Sequence, residues 1–172
     1  MTNQGLRIFT TLDPIAQTNV QNAFKASVER LSKANPKRLK DLQGAVLISH
    51  PENGELVAAV GSTQDFTGFN RALDAKRQVG SLLKPIIYLS AIESGRYNWA
   101  SPVEDSQISI PIDGKSWTPR NYSGSDHGIV SMSQALSQSY NLSAVRLGQE
   151  FGLSTFCNHL IKFGVPSDAV PQ

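Results

Sequence analysis

Two aliphatic runs joined by a turn constrain this chain more than any other feature of its sequence. Residues 44–49 are almost wholly aliphatic, residues 51–54 (Pro-Glu-Asn-Gly) form a turn signal, and residues 56–60 resume the apolar run. The pattern predicts a β-hairpin over 44–61 with strands buried on both faces. Because two strands are marginal as an independent sheet, helices must cover the hairpin on each side. We therefore expect an α/β fold of the α+β type, with helices packed on an antiparallel sheet.

Helical spacing of apolar residues indicates two of these helices. Asp13 and Pro14 are typical of an N-cap followed by proline at the first helical position, and the helix should end near 34–36. Between 81 and 93 the apolar positions run almost all the way round, which predicts a helix buried deep in the core and closed by Gly95. The first helix is a candidate cover for the hairpin.

The second half of the chain alternates a long loop with further helices. Residues 96–128 are rich in glycine and proline, with a short strand predicted at 108–112. Residues 131–134 (Ser-Met-Ser-Gln) fit a capping box, so a helix should begin there, with a polar interruption at 137–141. A second cap at Ser154 predicts the last helix.

Composition excludes several classes of function. The chain has 172 residues, a formal charge of +2, 40% hydrophobic and 17% charged residues. This balance is typical of a soluble globular protein and does not indicate a nucleic-acid or membrane-surface partner. Cys157 is the one cysteine, and the three histidines are far apart in sequence, so no disulfide, metal or other cofactor is expected. We also expect no membrane span and no signal peptide in these residues.

The segment Gly80-Ser81-Leu82-Leu83-Lys84-Pro85 carries the main chemical signal. Ser81 follows a glycine at a predicted helix start, where free backbone N–H groups stabilise developing negative charge. Lys84 lies three residues on, on the same side, and burial would lower its pKa so that a neutral amine could take the serine proton. The alternative is that Ser81 is only an N-cap and Lys84 extends to solvent. Pro85 requires the helix to begin no earlier than about Ser81.

A second pattern, Ser139-Tyr140-Asn141, follows downstream. Taken alone, Ser139 and Asn141 are interpreted as polar turn residues between two helices. In a chain of this composition Ser-x-x-Lys and Ser-x-Asn are each expected about once by chance, so their occurrence decides nothing without context.

The context is an ordered set of segments that resembles the transpeptidase region of class A bifunctional penicillin-binding proteins, and most of all the type 1b of Gram-negative bacteria. Gly-Ser-x-x-Lys-Pro and Ser-x-Asn correspond to the first two of that family's three motifs. The resemblance extends over nearly the whole chain through four more segments: 6–14, 69–72, 117–121 and 141–148. It implies the penicillin-binding-protein transpeptidase fold, which β-lactamases share.

The resemblance also implies a chemistry and its partners. Ser81 would attack a peptidoglycan stem peptide ending in D-Ala-D-Ala, and a neighbouring stem's amine would resolve the acyl-enzyme into a cross-link. Lys84 would be the base, although the identity of the base is disputed in this class of enzymes. Ser139 would relay the proton to the leaving amine, and Asn141 would bind the substrate's amide backbone. β-Lactam antibiotics would acylate Ser81, at the periplasmic face of the inner membrane in the parent protein.

One departure from the family pattern limits this expectation. The third motif, Lys-Ser/Thr-Gly, does not occur, and Lys115-Ser116-Trp117 is the nearest match. We therefore expect residues 1–172 to be the N-terminal portion of a transpeptidase domain, without the glycosyltransferase domain, membrane anchor and third-motif region of a class A enzyme. Losing one oxyanion donor alone can cost ~10²–10³ in rate, so this chain should acylate very slowly or not at all.

Other interpretations stay open at this point. The chain could be a non-catalytic β-lactam-binding or assembly module, or part of a serine β-lactamase. An incomplete sheet should also leave apolar strand edges that favour self-association, or a fold rearranged relative to the family. Trp117 and Tyr122 could line a cleft or anchor the loop. Residues 125–127 (Ser-Asp-His) spell a hydrolase triad, but triads are assembled from distant positions.

Overall fold

The computed structural model describes residues 5, 7–63 and 68–170. The chain divides into two units, Met1–Arg77 and Gln78–Gln172. The first unit contains helix α1 (Pro14–Ala34), strands β1 (Val46–Ser49) and β2 (Leu56–Val60), and the single-turn helix α2 (Arg71–Asp74).

Helix α1 begins and ends where its sequence predicts. The Asp13 carboxylate accepts hydrogen bonds from the backbone N–H groups of Ile15 and Ala16, at 2.7 and 3.2 Å, and Pro14 occupies the first turn. The side chain of Gln17 then pairs with β2 as a neighbouring strand would: its amide donates to the Ala59 carbonyl at 3.0 Å and accepts from the Ala59 N–H at 2.9 Å. The helix therefore covers one edge of the hairpin as well as packing on it.

The predicted hairpin is present, but its predicted burial is wrong. β1 and β2 pair antiparallel, with Val46 opposite Val60 and a register shift after Ile48. Ala58 and Val60 of β2 are buried, whereas Leu47 is 53% and Ile48 36% exposed. The reason is that β2 lies against α1, whereas β1 is the outer strand of a sheet with only two members in the described residues. An aliphatic run alone could not distinguish a covered strand from an uncovered one.

The second unit holds two short antiparallel sheets among three helices. A 3-10 turn (Gly80–Leu83) leads into α3 (Lys84–Glu93), and β3 (Pro102–Asp105) pairs with β6 (Gly128–Ser131). Between them β4 (Ile110–Ile112) and β5 (Lys115–Trp117) form a small hairpin, and α4 (Met132–Ser137) and α5 (Asn141–Lys162) follow, with a last 3-10 turn at Ser167–Ala169. In the described residues the protein is thus α+β, with three separate two-stranded sheets rather than one.

The core of the second unit forms where α3 and α5 pack together over β3 and β6. Its fully enclosed members are Tyr88 and Ala91 of α3 and Met132 and Ala135 of α4, with Val103, Val130, Ala144 and Leu147 around them. The prediction that α3 is buried deep is only partly correct, because Ile86, Ile87 and Leu89 stay half-buried. Gly95, with φ of 72°, follows the helix end as predicted.

Two boundaries in the second unit differ from the sequence prediction. The loop over 96–128 contains β3, β5 and the start of β6 besides the predicted strand near 110, since strands of three or four residues give too few periods to detect. The break predicted by a cap at Ser154 lies instead at Gly152, whose φ of 77° and ψ of 157° interrupt α5. Ser131 caps α4 as predicted, accepting from the Gln134 N–H at 3.2 Å.

None of the helices in the described part of the chain is both long enough and apolar enough to cross a membrane.

Met132→Ala should lower the free energy of unfolding by about 2–5 kcal/mol, because Met132 is fully enclosed and its truncation leaves a cavity. Ile129→Ala is the matched control, since Ile129 lies on the adjoining strand but is 69% exposed, and its cost should stay within about 0.5 kcal/mol. Urea unfolding of both variants measures the difference. Equal losses would contradict the position of the core.

Candidate active site

A buried lysine ammonium lies at the centre of the site. Lys84, the first residue of α3, is 7% exposed, and its Nζ donates to the Ser139 carbonyl at 2.5 Å, the Ser139 Oγ at 3.0 Å and the Asn141 Oδ1 at 2.6 Å. An ammonium has three N–H donors, and each has an acceptor here. The fold thus joins the first sequence motif to the second, across more than fifty residues of chain.

The Asn141 side chain is held from both ends. Its Oδ1 accepts from Lys84, and its Nδ2 donates to the Arg120 carbonyl at 2.8 Å. Because an ammonium can only donate and a carbonyl can only accept, these two contacts fix which way the amide points. One N–H of the Asn141 amide remains for a further acceptor.

Ser139 adopts a backbone conformation that is unusual for a residue with a side chain. Its φ is 55°, in the left-handed region, which costs a non-glycine residue on the order of 1–2 kcal/mol. The conformation lets α4 end and α5 begin within three residues, and it turns both the carbonyl and the hydroxyl of Ser139 to Lys84. The strain is thus located at a residue that contacts the lysine twice.

Burial and a nearby carboxylate act on Lys84 in opposite directions. Desolvation of the ammonium holds the pKa of Lys84 below its ordinary value, and the negative charge of Asp105 raises that pKa against the effect of burial. Desolvation is the larger effect. The net pKa of Lys84 therefore lies below its ordinary value, in the direction that the sequence analysis expects.

Ser81 lies on the 3-10 turn that precedes Lys84. Gly80 has a φ of 59°, and the Lys84 N–H donates to the Ser81 carbonyl, which closes the turn. Side chains three residues apart in a 3-10 helix are eclipsed, so Ser81 and Lys84 lie on the same side. Ser81 is exposed, and the hydrogen bonds of Lys84 go to Ser139 and Asn141 rather than to its hydroxyl.

The alternative interpretation of this segment, in which Ser81 is only an N-cap and Lys84 extends to solvent, is wrong in both parts. Ser81 is not an N-cap, because neither the 3-10 turn nor α3 has a side-chain cap, and the α-helix begins at Lys84 rather than at Ser81. Pro85 occupies the first turn of α3, where its missing N–H is no loss. Lys84 is buried rather than extended to solvent.

A groove of about 1110 Å³ connects these side chains. Ser81, Lys84 and Asn141 lie together along it, and apolar side chains from four elements form much of its walls: Ile87, Ile110, Trp117, Val145, Leu153 and Phe156. Trp117 therefore lines the groove. Tyr122 is fully exposed, so it neither lines the groove nor anchors the loop. Among the described residues, no group of three or more His, Cys, Asp or Glu side chains could hold a metal ion.

Behind the groove lies a buried polar cluster that the sequence analysis did not identify. The Asp105 carboxylate is fully buried and accepts from the Asn121 Nδ2 at 2.6 Å and the His127 Nδ1 at 2.7 Å. The three letters Ser-Asp-His at 125–127 therefore do not form a triad, because His127 bonds to Asp105 and stacks on Tyr140. Asn121 lies in one of the resembling segments, but no local pattern marks Asp105.

Three comparisons connect this geometry to known proteins. A family model for the penicillin binding protein transpeptidase domain matches residues 44–169. The chain is 38% identical over 171 residues to penicillin-binding protein 1B of Vibrio cholerae and 39% identical over 173 residues to that of Haemophilus influenzae. Each match covers 98% of this chain but only 22% of the relative, so the chain spans about a fifth of their length.

Solved structures show the same fold. The structure of the PonA1 protein from Mycobacterium tuberculosis in complex with penicillin V has a TM-score of 0.73 and 28% identity, over 97% of this chain and 42% of that one. The resemblance inferred from the motifs is confirmed by all three comparisons. The chain belongs to the penicillin-binding protein transpeptidase family, with the 1B type of class A among its relatives.

Proposed function

We propose that this chain is the N-terminal portion of a peptidoglycan D,D-transpeptidase domain in a longer protein, with Ser81 as the nucleophile. The observation that carries the proposal is the buried Lys84, whose pKa is lowered and whose ammonium is held by Ser139 and Asn141 in the groove that Ser81 lines. Acyl transfer by serine requires a reachable hydroxyl beside a group that can take its proton, and a desolvated lysine next to an exposed serine is one such arrangement.

Ser139 is suited to move the proton. Of the three acceptors around Lys84, the Ser139 carbonyl and the Asn141 Oδ1 can only accept, whereas the Ser139 hydroxyl can also donate. When Lys84 is neutral, its two N–H groups satisfy those two oxygens and its lone pair can receive a proton from a hydroxyl. Ser139 can then pass that proton to the leaving group.

The reaction balances as two acyl transfers. The Ser81 Oγ attacks the carbonyl carbon of the penultimate D-Ala of a stem peptide, an ester forms, and the C–N bond to the terminal D-Ala breaks. The serine proton passes through Lys84 and Ser139 to the departing amine. The amine of a second stem then attacks the ester, an amide cross-link forms as the bond between the carbonyl carbon and the Ser81 Oγ breaks, and a proton from that amine returns to Ser81. A β-lactam acylates Ser81 in the same first step, in which the amide bond of its strained ring breaks.

The groove also fits the substrate. The remaining N–H of Asn141 can donate to a peptide carbonyl, and the apolar walls suit the short side chains of a D-Ala-D-Ala terminus. Because peptidoglycan is cross-linked outside the inner membrane, the proposed activity implies a site at the periplasmic face of that membrane in the longer protein.

A graft tests the proposal directly. Residues 44–169, the segment that the family model matches, replace the corresponding residues of the Vibrio cholerae relative, which supplies the rest of its domain. The folded graft should bind fluorescent penicillin covalently, one per chain at Ser81, and Ser81→Ala should abolish the label. A folded graft that remains unlabelled, with the unaltered relative labelled in parallel, would contradict the proposal. Rapid release of hydrolysed antibiotic would favour a β-lactamase instead.

The ungrafted chain should label at least ~10² times more slowly than the graft. It contains no Lys-Ser/Thr-Gly tripeptide, and losing a single oxyanion donor costs about that much. Intact-mass measurement over hours gives the rate. Fast, stoichiometric labelling that Ser81→Ala abolishes would overturn this expectation and favour a chain that binds β-lactams unaided.

Ser139→Ala should reduce the acylation rate of the folded graft by about 10²–10⁴. The substitution removes the one partner of Lys84 that can both accept and donate, but it leaves the carbonyl of the same residue in place. Ser137→Ala, at the exposed end of α4, is the control and should react at the unaltered rate. Normal acylation by Ser139→Ala would contradict the relay.

We further propose that the isolated chain self-associates through β1. Leu47 and Ile48 are exposed there, whereas the opposite edge of the hairpin is covered by contacts from Asp13 and Gln17. The weight-average mass in sedimentation equilibrium should rise with concentration, and Leu47→Lys should suppress the rise. Leu73→Lys, on α2, is the control. A monomer at every concentration would contradict this proposal.

A further inference from the structure

The helix that carries Asn141 has no cap of its own. Tyr140 occupies the N-cap position of α5 and makes no side-chain capping bond. A helix of this length leaves its first N–H groups without partners in the helix, and burying them unpaired costs free energy. The satisfying acceptors must therefore come from elsewhere in the chain.

Two distant side chains provide these acceptors. The Asn121 Oδ1 accepts from the N–H groups of Asn141 and Leu142, at 2.6 and 3.3 Å, and the Asp105 Oδ1 accepts from the N–H of Ser143 at 3.1 Å. Successive N–H groups at the start of α5 are thus paired with a loop residue twenty positions upstream and with the last residue of β3. A carboxylate at this end also interacts favourably with the helix dipole.

Asp105 connects the whole cluster. Its Oδ1 also accepts from the Ser143 hydroxyl at 3.0 Å, while its Oδ2 accepts from the Asn121 amide and from His127. The carboxylate has no exposed surface, so these donors are what compensates its burial. By holding the Asn121 amide, Asp105 also fixes the direction in which the Asn121 Oδ1 faces α5.

We propose that Asp105 and Asn121 are positioning residues that hold the first turn of α5, and with it the acceptors of Lys84, in the arrangement that acylation needs. The inference rests on the proposed function for its link to acylation. Arg120 strengthens it, because its carbonyl holds the Asn141 side chain while the next residue holds the Asn141 backbone. Two neighbouring loop residues thereby fix the backbone and the side chain of Asn141, the residue whose Oδ1 accepts a hydrogen bond from Lys84.

Charge gives Asp105 an effect that a purely structural residue would lack. Its carboxylate raises the pKa of Lys84 against the larger effect of burial. The other titratable groups that face Asp105 are His127, which is hydrogen-bonded to its carboxylate, and Tyr88, whose pKa is raised by burial and by the Asp105 charge. Removing the charge should therefore lower the pKa of Lys84, whereas loosening the site would hydrate the lysine and raise it.

Asp105→Asn separates these two outcomes. The change keeps the size of the side chain and the Oδ1 acceptor, and His127 can accept from the new amide by changing its tautomer. The Asn121 Nδ2 loses its bond to Oδ2 but keeps its bond to the Ser125 carbonyl at 2.9 Å. The titration of Lys84 is followed in the full chain by NMR of its labelled ε-carbon. We expect it to move to lower pH, and the acid limb of acylation in the graft to move with it. A titration that is unchanged or moves to higher pH would overturn the proposal for Asp105.

Asn121→Ala tests the positioning by itself. The amide protons of Asn141 and Leu142 should exchange faster in the full chain, and acylation of the graft should slow by about 10–100-fold with unchanged affinity for the antibiotic before the covalent step. Unchanged exchange at these two amides would overturn the proposal for Asn121. Should this variant not fold, the titration in Asp105→Asn decides the question.

Two controls complete the design. Asp13→Asn makes the same substitution at the cap of α1 in the other unit and should leave the Lys84 titration and the exchange of α5 unchanged. Met132→Ala destabilises the same unit through its core, so it measures what loss of stability alone does to both readouts. A graft that never reacts with penicillin would refute the proposed function, while the titration and exchange results would still decide the positioning.

Discussion

The burial of one positive charge organises the second unit of this protein. Removing an ammonium from water costs several kcal/mol unless its donors are paired, so the fold must supply three oxygens at the first turn of α3. Two come from Ser139 and one from Asn141, residues that lie at a helix-to-helix junction. The left-handed conformation of Ser139 serves that requirement, since in a straight continuation of α4 the Ser139 carbonyl would accept from the helix's own N–H groups.

The same requirement explains why the polar cluster extends so far from the lysine. The acceptors for Lys84 are located at the start of α5, where the backbone itself has unpaired donors. Asn121 and Asp105 pair those donors, and Asp105 is in turn held by Asn121 and His127. The buried polar groups thus form one connected network. It ends at side chains from β3 and from the loop between β5 and β6.

Sequence reasoning predicted that Ser81 and Lys84 lie together better than it predicted the buried polar cluster around Asp105. Ser81 and Lys84 stand close together in sequence, and periodicity places them at the start of a helix, so their neighbourhood could be predicted. Asp105 could not, because its partners lie sixteen to thirty-eight positions away and nothing in its own segment distinguishes it from a surface carboxylate. Likewise, the aliphatic residues of β1 predicted burial, but exposure depends on which elements lie beside the strand, and that is decided by contacts with α1.

Ser81 and Lys84 differ in exposure, and the proposed acyl transfer needs different properties of each. In the proposed reaction the nucleophile must reach a carbonyl carbon in a substrate that arrives from solvent, and Ser81 lies exposed on a short turn after a left-handed glycine. The proposed base must change its charge at low cost, and Lys84 is desolvated and hydrogen-bonded to oxygens of Ser139 and Asn141, with the charge of Asp105 opposing the fall of its pKa. Because burial and the carboxylate oppose each other, a small change in either displaces the balance. Asp105 acts on this balance through its charge, and Asn121 through the first turn of α5, without a hydrogen bond from either to Lys84.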